Sequence, residues 1–484
     1  MKHLNHNLAR LRVLFVMGDN RLIQNRITPS VEYYTSDDGV LMGVICIDRL
    51  DGTFGVVVLD RNNLKQYQAV EVYCDIDTIE NARVALNDAM DNYVRDTEMM
   101  LKQGKPMDFF SQITSDKELS PLFQKLKSDD FFSSARAVIE EISPYIEDRD
   151  GNLGEQLQTV NGFDARIWEL YLLCYFREAG LNLDKRYDVP DFILYKGDER
   201  VAVEAVTIQR KQKGYDNNDI PNYTMDEMFQ KLENEIPLMF GSSLYSKLKH
   251  TYENKRYWEL PQCEDLPLVF AIEDFHEDMS MMWTFNGIIA MLYGIEQRIE
   301  QDKDGNNILI NSSGKAIIKE GKNSSVEITP LFLDRAFENV SAVLFSTMGT
   351  LSKFNRMGRQ ASLGMKNTIL FQTRVSYNKK PNAILPIFSG HIIDETCHET
   401  WADGVNIFHN PFARVPVDSS LFPGAAHHYY KDGMLYSDTY NDHTFSSFTW
   451  NIKSEGTVDM SNLNFRDTST EQFQAVLKQW VMKP

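Results

Sequence analysis

Alternation of apolar and polar positions runs through residues 11 to about 75. GVLMGVICI, TFGVVVLD and QAVEVYCDI each change side at almost every residue, and DDG and LDGT between them are turn signals. That two-residue period predicts a small antiparallel β unit. The period then lengthens. DTIENARVALNDAMDNYVRDTEMMLKQG (77–104) predicts a helix with Asp or Thr capping its start and Gly at its end. Helical, acidic segments continue through SSARAVIEEISPYIEDRDGN (133–152), which reads as a connector.

From Phe163 the pattern changes. FDARIWELYLLCYFREAGL is apolar almost all round, which predicts a buried helix with Asp164 as N-cap and Gly180 closing it. DKRYDV, PDFILYK and RVAVEAV predict three short strands. A polar loop (209–222) leads to helical patterns at TMDEMFQKLENEI and SLYSKLKHTYENKRYW, and LPLVFAIEDF returns as a buried strand. Beyond it come a helix at 283–299, a polar hairpin-like insertion (302–327) and a buried strand AVLFS (342–346). The order implies an α/β (mixed α+β) fold whose mixed sheet is flanked by helices. The expected division is a β-rich unit with its helix at 1–110, a helical connector at 111–157, a core at 158–380 and an aromatic, His-rich extension at 381–484.

The stretch VPDFILYKGDERVAVEAVT (189–207) carries the chemistry. Glu204 is flanked by Val201, Ala202, Val203, Ala205 and Val206, where a charge is costly to bury without a partner. If the two strands pair, Asp191 and Glu204 project together. Glu169, the one charge within IWELYLLCYF, is a third acid for the same junction. Three such acids repel one another unless a cation sits among them, and Mg²⁺ or Mn²⁺, which take oxygen ligands, suit that vacancy. A structural alternative pairs these acids with Arg166, Arg186 or Arg200.

A helix followed by PD, a dozen residues and then VEA resembles the PD-(D/E)xK nuclease superfamily over roughly residues 160 to 275. GFDARIWELYL, VPDF, VEAVT, FAIEDFH, LFSTMGTLSKFNRMG and HNPFARVP together look like a family of large uncharacterised bacterial proteins with this core. The resemblance implies a restriction-endonuclease-like core in which Asp191, Glu204, the carbonyl of Ala205 and Glu169 bind the metal. It also implies an oxygen-ligated divalent ion that activates water for attack on a phosphodiester. One departure stands out: Val206 occupies the position of the motif lysine. Lys247 or Lys249, on a helix expected beside the sheet, can replace it; Lys211, in the polar loop, is a weaker substitute.

Composition narrows the partners. The 484 residues carry a net charge of −19, which argues against a general polyanion binder, but the charges are uneven. No acid lies between Glu338 and Asp394, where Lys353, Arg356, Arg359 and Lys366 fall with Phe354, Phe371 and Tyr377. Together with Lys211 they are candidates for tracking nucleic-acid phosphates, the alternative being an ordinary solvated face. The five cysteines form no CxxC pair and read as free thiols. His391, His398, His409, His427, His428 and His443 cluster late in the chain without zinc-ligand spacing, and His276 beside Asp274 reads as structural. No stretch is long and apolar enough to span a membrane, and no leader pattern is evident, so a cytoplasmic protein is expected. The sequence thus predicts a metal-dependent nuclease acting on DNA, with RNA left open as substrate, as a homodimer or as a subunit of a larger effector; the resemblance favours a setting in restriction, repair or anti-phage defence. Its rival is a nucleic-acid-binding module that has lost catalysis.

Overall fold

The computed structural model describes the chain except residues 17–27, 147, 149–150, 211–222, 302, 304–306, 314–316, 321–324, 381–382, 384, 441–442, 454–464 and 468–484. The chain forms a mixed α/β structure in two units. One comprises Met1–Thr159, Leu351–Lys366 and Ile393–Glu399; the other comprises Val160–Thr350, Asn367–Ile392 and Thr400–Pro484.

In the first unit, strands β1 (Lys2–His3), β2 (Ser30–Thr35), β3 (Met42–Ile47), β4 (Phe54–Arg61) and β5 (Tyr67–Ile76) form an antiparallel sheet in chain order. Alternation lets each strand serve two layers. Ile45, Val56 and Val58 pack against Leu86 and Met90 of helix α2 (Ile79–Asn92), while Met42, Val44 and Leu59 pack against Ala9 and Val13 of helix α1 (His6–Val13). Thr78 caps α2 by accepting from the Asn81 N–H, as its sequence predicts. The helix stops well before Gly104. Tyr93 is extended, and its hydroxyl donates to the buried Asp60 carboxylate at 3.2 Å. Helices α3 (Pro121–Ser128), α4 (Ser133–Ile142) and α5 (Leu153–Gln158) follow. The helix Leu351–Gln360 belongs to this unit as well.

The second unit opens with helix α6 (Phe163–Glu178). Gly162, not Asp164, is its N-cap residue; Asp164 lies in the first turn and accepts from Arg210 at 2.9 Å. Gly180 follows the helix at φ +81°, the left-handed conformation that glycine tolerates best. Strands β6 (Asn182–Leu183), β7 (Phe192–Lys196), β8 (Glu199–Ile208) and β9 (Leu268–Asp274) come next around helices α7 (Met225–Asn234) and α8 (Ile236–Lys249). The expected strand at DKRYDV is not formed: Asp184 accepts from Arg186 and Arg200, and the chain turns there.

Helix α9 (Phe285–Tyr293) is shorter than expected, because Gly294 ends it at φ +67° and Ile295–Gln301 (β10) departs as a strand. Strand β10 pairs with Asn307–Ser313 (β11), and Ile317–Glu320 (β12) pairs with Ser325–Ile328 (β13), so the insertion is two hairpins. Strands β14 (Ala342–Ser346), β15 (Thr368–Ser376), β16 (Ile387–Ile392), β17 (Val405–His409), β18 (Ala426–Lys431), β19 (Met434–Asp438), β20 (Thr444–Lys453) and β21 (Phe465–Asp467) complete the chain.

The main sheet has eight strands in the order β19-β18-β17-β14-β9-β8-β7-β6. Strand β8 runs parallel to β9 and β9 to β14, whereas β7 is antiparallel to β8. The expected extension from 381 is therefore not separate over 405–438, because β17, β18 and β19 finish this sheet. One face, with Ala202, Val206, Phe270 and Ile272, packs on Phe240, Leu244 and Leu248 of α8. Helix α6 meets the other face, where Phe176 touches Phe192 and the Trp168 indole N–H donates to the Ala271 carbonyl at 3.0 Å. Among the described residues no helix is long and apolar enough to cross a membrane.

Candidate active site

Strand pairing does what the sequence predicts for the two central acids. Phe192 stands opposite Val203, which places Asp191, one residue before β7, beside Glu204 in the middle of β8. The Ala205 N–H donates to Asp191 Oδ2 at 2.7 Å, and the Asp191 N–H donates to Glu204 Oε2 at 3.3 Å. Glu204 lies between Ala202 and Val206 on the face that α8 covers and is only 5% exposed.

Its charge is matched from that side. Lys247, near the end of α8, reaches Glu204 Oε1 at 2.5 Å, and the Tyr257 hydroxyl donates to the same oxygen at 2.8 Å. Of the two candidate lysines, therefore, Lys247 enters the site. Lys249 is exposed, with its ammonium 4.3 Å over the Tyr245 ring, and Lys211 lies outside the described residues. Residues two apart on a helix are turned by roughly 200°, so only one of the pair can face the sheet.

Glu169 joins from α6. Burial raises its pKa, the ion pair with Arg166 opposes that rise, and the Glu204 anion adds to it. Asp191 is pushed well above the usual carboxylate range by burial first and by the Glu204 and Glu169 anions next. Arg186 and Arg200 both bind Asp184, at 2.6 and 3.1 Å, rather than the acids of this site. The arginine alternative thus applies to Glu169 alone. Ala205 meets the site through its N–H, and Gln262, which sequence patterns do not single out, donates to the Val189 carbonyl at 2.7 Å.

Among the described residues no group of three or more His, Cys, Asp or Glu side chains is placed so that it could hold a metal ion. Mg²⁺ does not need one: it keeps several waters and is usually bound through one or two carboxylates. Adjacent Asp191 and Glu204, with oxygen donors only, fit that requirement.

Two of the cations expected to track phosphates are buried. Lys353 and Arg356 lie on the inner side of the helix Leu351–Gln360, at 0% and 2% exposure, and both bind Glu399, at 2.7 and 2.8 Å. Buried and neutralised cations cannot track phosphates. Arg359 is half-buried, and burial lowers its pKa; Lys366 is exposed.

His276, His409, His427, His428 and His443 each have hydrogen-bond partners within the protein. His276 Nδ1 lies 2.8 Å from Asp274 Oδ1; burial alone lowers its pKa, but hydrogen bonds to Asp274 and Glu277 bring it up to about 9. His428 Nε2 and His443 Nε2 both contact Asn406 Oδ1, at 3.0 and 2.9 Å, while His409 contacts His427 at 3.0 Å. No family model, curated protein or solved structure matches this chain.

Proposed function

We propose that this chain is a metal-dependent nuclease of the PD-(D/E)xK type, hydrolysing phosphodiester bonds of DNA, with a restriction-endonuclease-like core in its second unit. The observation that carries the reading is the Lys247 ammonium at 2.5 Å from Glu204, beside Asp191. The motif lacks its lysine because Val206 stands there, yet a lysine from α8 reaches the motif glutamate. In this reading Asp191 and Glu204 hold Mg²⁺ or Mn²⁺, with Glu169 supporting them through the shared field. Held by Asp191 and Glu204, such an ion would supply water activation and neutralisation of phosphate charge. Lys247 orients that water and offsets negative charge as the phosphate is attacked.

Purified protein incubated with plasmid, linear DNA and RNA, with Mg²⁺, Mn²⁺ or EDTA, tests this. Cleavage of DNA that needs metal and vanishes in Asp191→Asn and Glu204→Gln is expected. Nucleic-acid binding with no cleavage under any metal overturns it in favour of a catalytically silent binding module, the reading that Val206 favours. A silent protein that neither binds nor cuts points instead to a subunit needing its partner, for which toxicity of the wild type against Glu204→Gln on overexpression is the check.

A further inference from the structure

We propose that Tyr257 and Gln262 are positioning residues that fix the two motif acids, an inference resting on the nuclease reading of this site. Both follow α8 closely in the chain, Tyr257 in the 3-10 turn Tyr257–Glu259 and Gln262 in the turn Pro261–Cys263. The Tyr257 ring is only 3% exposed, packed in the apolar cluster with Ala202, Val206 and Phe270, and its hydroxyl donates to Glu204 Oε1. That oxygen also takes Lys247, so two donors occupy Oε1 and leave Oε2 as the oxygen turned toward Asp191. The phenol thus selects which carboxylate oxygen serves the site.

Gln262 does the matching work on the other acid. Its amide donates to the carbonyl of Val189, two residues before Asp191, and so ties down the backbone that delivers the Asp191 carboxylate to the Ala205 N–H. Residues 247 to 262 therefore supply a cation to Glu204, a hydroxyl to Glu204 and an amide to the Asp191 segment. The motif strand, with Val206 where the superfamily has its lysine, cannot provide the first of these contacts itself. One continuous segment stands in for the missing lysine and holds both acids.

The test uses the full chain, comparing wild type with Tyr257→Phe, Gln262→Ala and the double variant. Mn²⁺ binding is followed by electron paramagnetic resonance, and DNA cleavage is resolved into kcat and KM. Residues that hold ligands from behind typically account for roughly 10–100-fold in metal affinity or activity. Each single variant is expected to lose ~10-fold in Mn²⁺ affinity with an unchanged circular dichroism spectrum, a weakening of Kd that a smaller folded fraction does not produce. Wild-type Mn²⁺ affinity and kcat in both single variants overturn the proposal. Should Tyr257→Phe fail to fold, Gln262→Ala alone decides by the same measures.

If the wild type binds no Mn²⁺, the nuclease reading fails by itself, and the positioning claim is decided in metal-free protein by hydrogen exchange. Faster exchange in the peptide 189–207 of Gln262→Ala, with residues 268–274 unchanged, upholds it. Equal exchange in variant and wild type overturns it.

Discussion

Replacing Lys247 by methionine isolates the contact on which the site depends. At 2.5 Å and an effective dielectric constant of ~20, attraction between unit charges is on the order of 6–7 kcal/mol, most of it offset by the cost of drawing the ions out of water. The Lys247 side chain is 34% exposed, so solvent screens it further, whereas Glu204 is nearly buried. Removing the cation leaves Glu204 Oε1 with the Tyr257 hydroxyl alone. The expected loss is about 2–3 kcal/mol, below the ~3–5 kcal/mol of a fully buried pair that loses one partner. Glu204→Gln in the same background removes the stranded charge, so the double variant recovers much of that loss. A double-mutant cycle should give a coupling of ~1.5–2.5 kcal/mol. Urea denaturation followed by tryptophan fluorescence is the assay, because the described tryptophans, Trp168, Trp258, Trp283, Trp401 and Trp450, lie in the second unit. A coupling below ~0.5 kcal/mol refutes the inference that Lys247 neutralises Glu204.

Other consequences follow from the same geometry. Asp191 has a folded pKa raised by burial and by the neighbouring anions, so its contribution to stability is complete at pH below the ordinary carboxylate range and is lost as pH rises through the folded value. Metal-free protein should therefore lose stability over that rise, and Mn²⁺ affinity should grow over it; calorimetry in two buffers of different ionisation heat should detect the proton released. His276, with a pKa brought up to about 9 from 6.5, gives stability that is complete below pH 6.5 and is lost as pH passes 9, so His276→Gln should flatten the alkaline limb of a stability profile. Glu399→Gln strands the buried Lys353 and Arg356 and should cost ~3–5 kcal/mol, read by circular dichroism with limited proteolysis of the first unit. In Gly349→Ala the new Cβ would stand 2.5 Å from the Trp168 ring and 2.7 Å from Glu273 Oε2, so thermal unfolding should show a loss of ~1–3 kcal/mol.

The period of the chain made Asp191 and Glu204 legible, since alternate residues of a strand share a face and an acid amid Val201 to Val206 needs a partner. It also identified the helix from which Lys247 reaches in, though not which of two lysines two residues apart would face the sheet. Tyr257 falls within SLYSKLKHTYENKRYW, whose helical pattern outlasts the helix that ends at Lys249, and Gln262 sits in a short 3-10 turn with no repeating pattern to read. The basic stretch misled for a different reason. Lys353, Arg356 and Gln360 recur at three- and four-residue steps along one helical face, and all three contact Glu399, beyond the acid-free window that made the stretch look unneutralised. Local composition cannot register a counter-charge more than forty residues away. Helix ends were overrun at Asn92 and Tyr293 because tertiary hydrogen bonding and a left-handed glycine, rather than loss of apolar period, stop them.

The charge ledger of the site ties these readings together. Glu169 has Arg166 and Glu204 has Lys247, so each of those anions arrives with its own cation. Asp191 has no ion-pair partner of its own among the described residues: its carboxylate accepts from the Ala205 N–H, and burial first and the neighbouring acids next raise its pKa against the weaker pull of Lys247. Such a group takes either a proton or a cation, and it gives up the first to accept the second. A fold that needed a merely structural polar contact there could use asparagine without the electrostatic cost. Under the proposed nuclease reading an acid is needed there because only an acid can exchange a proton for a metal ion, while Lys247 and Tyr257 hold the adjoining Glu204 and Gln262 holds the Asp191 segment.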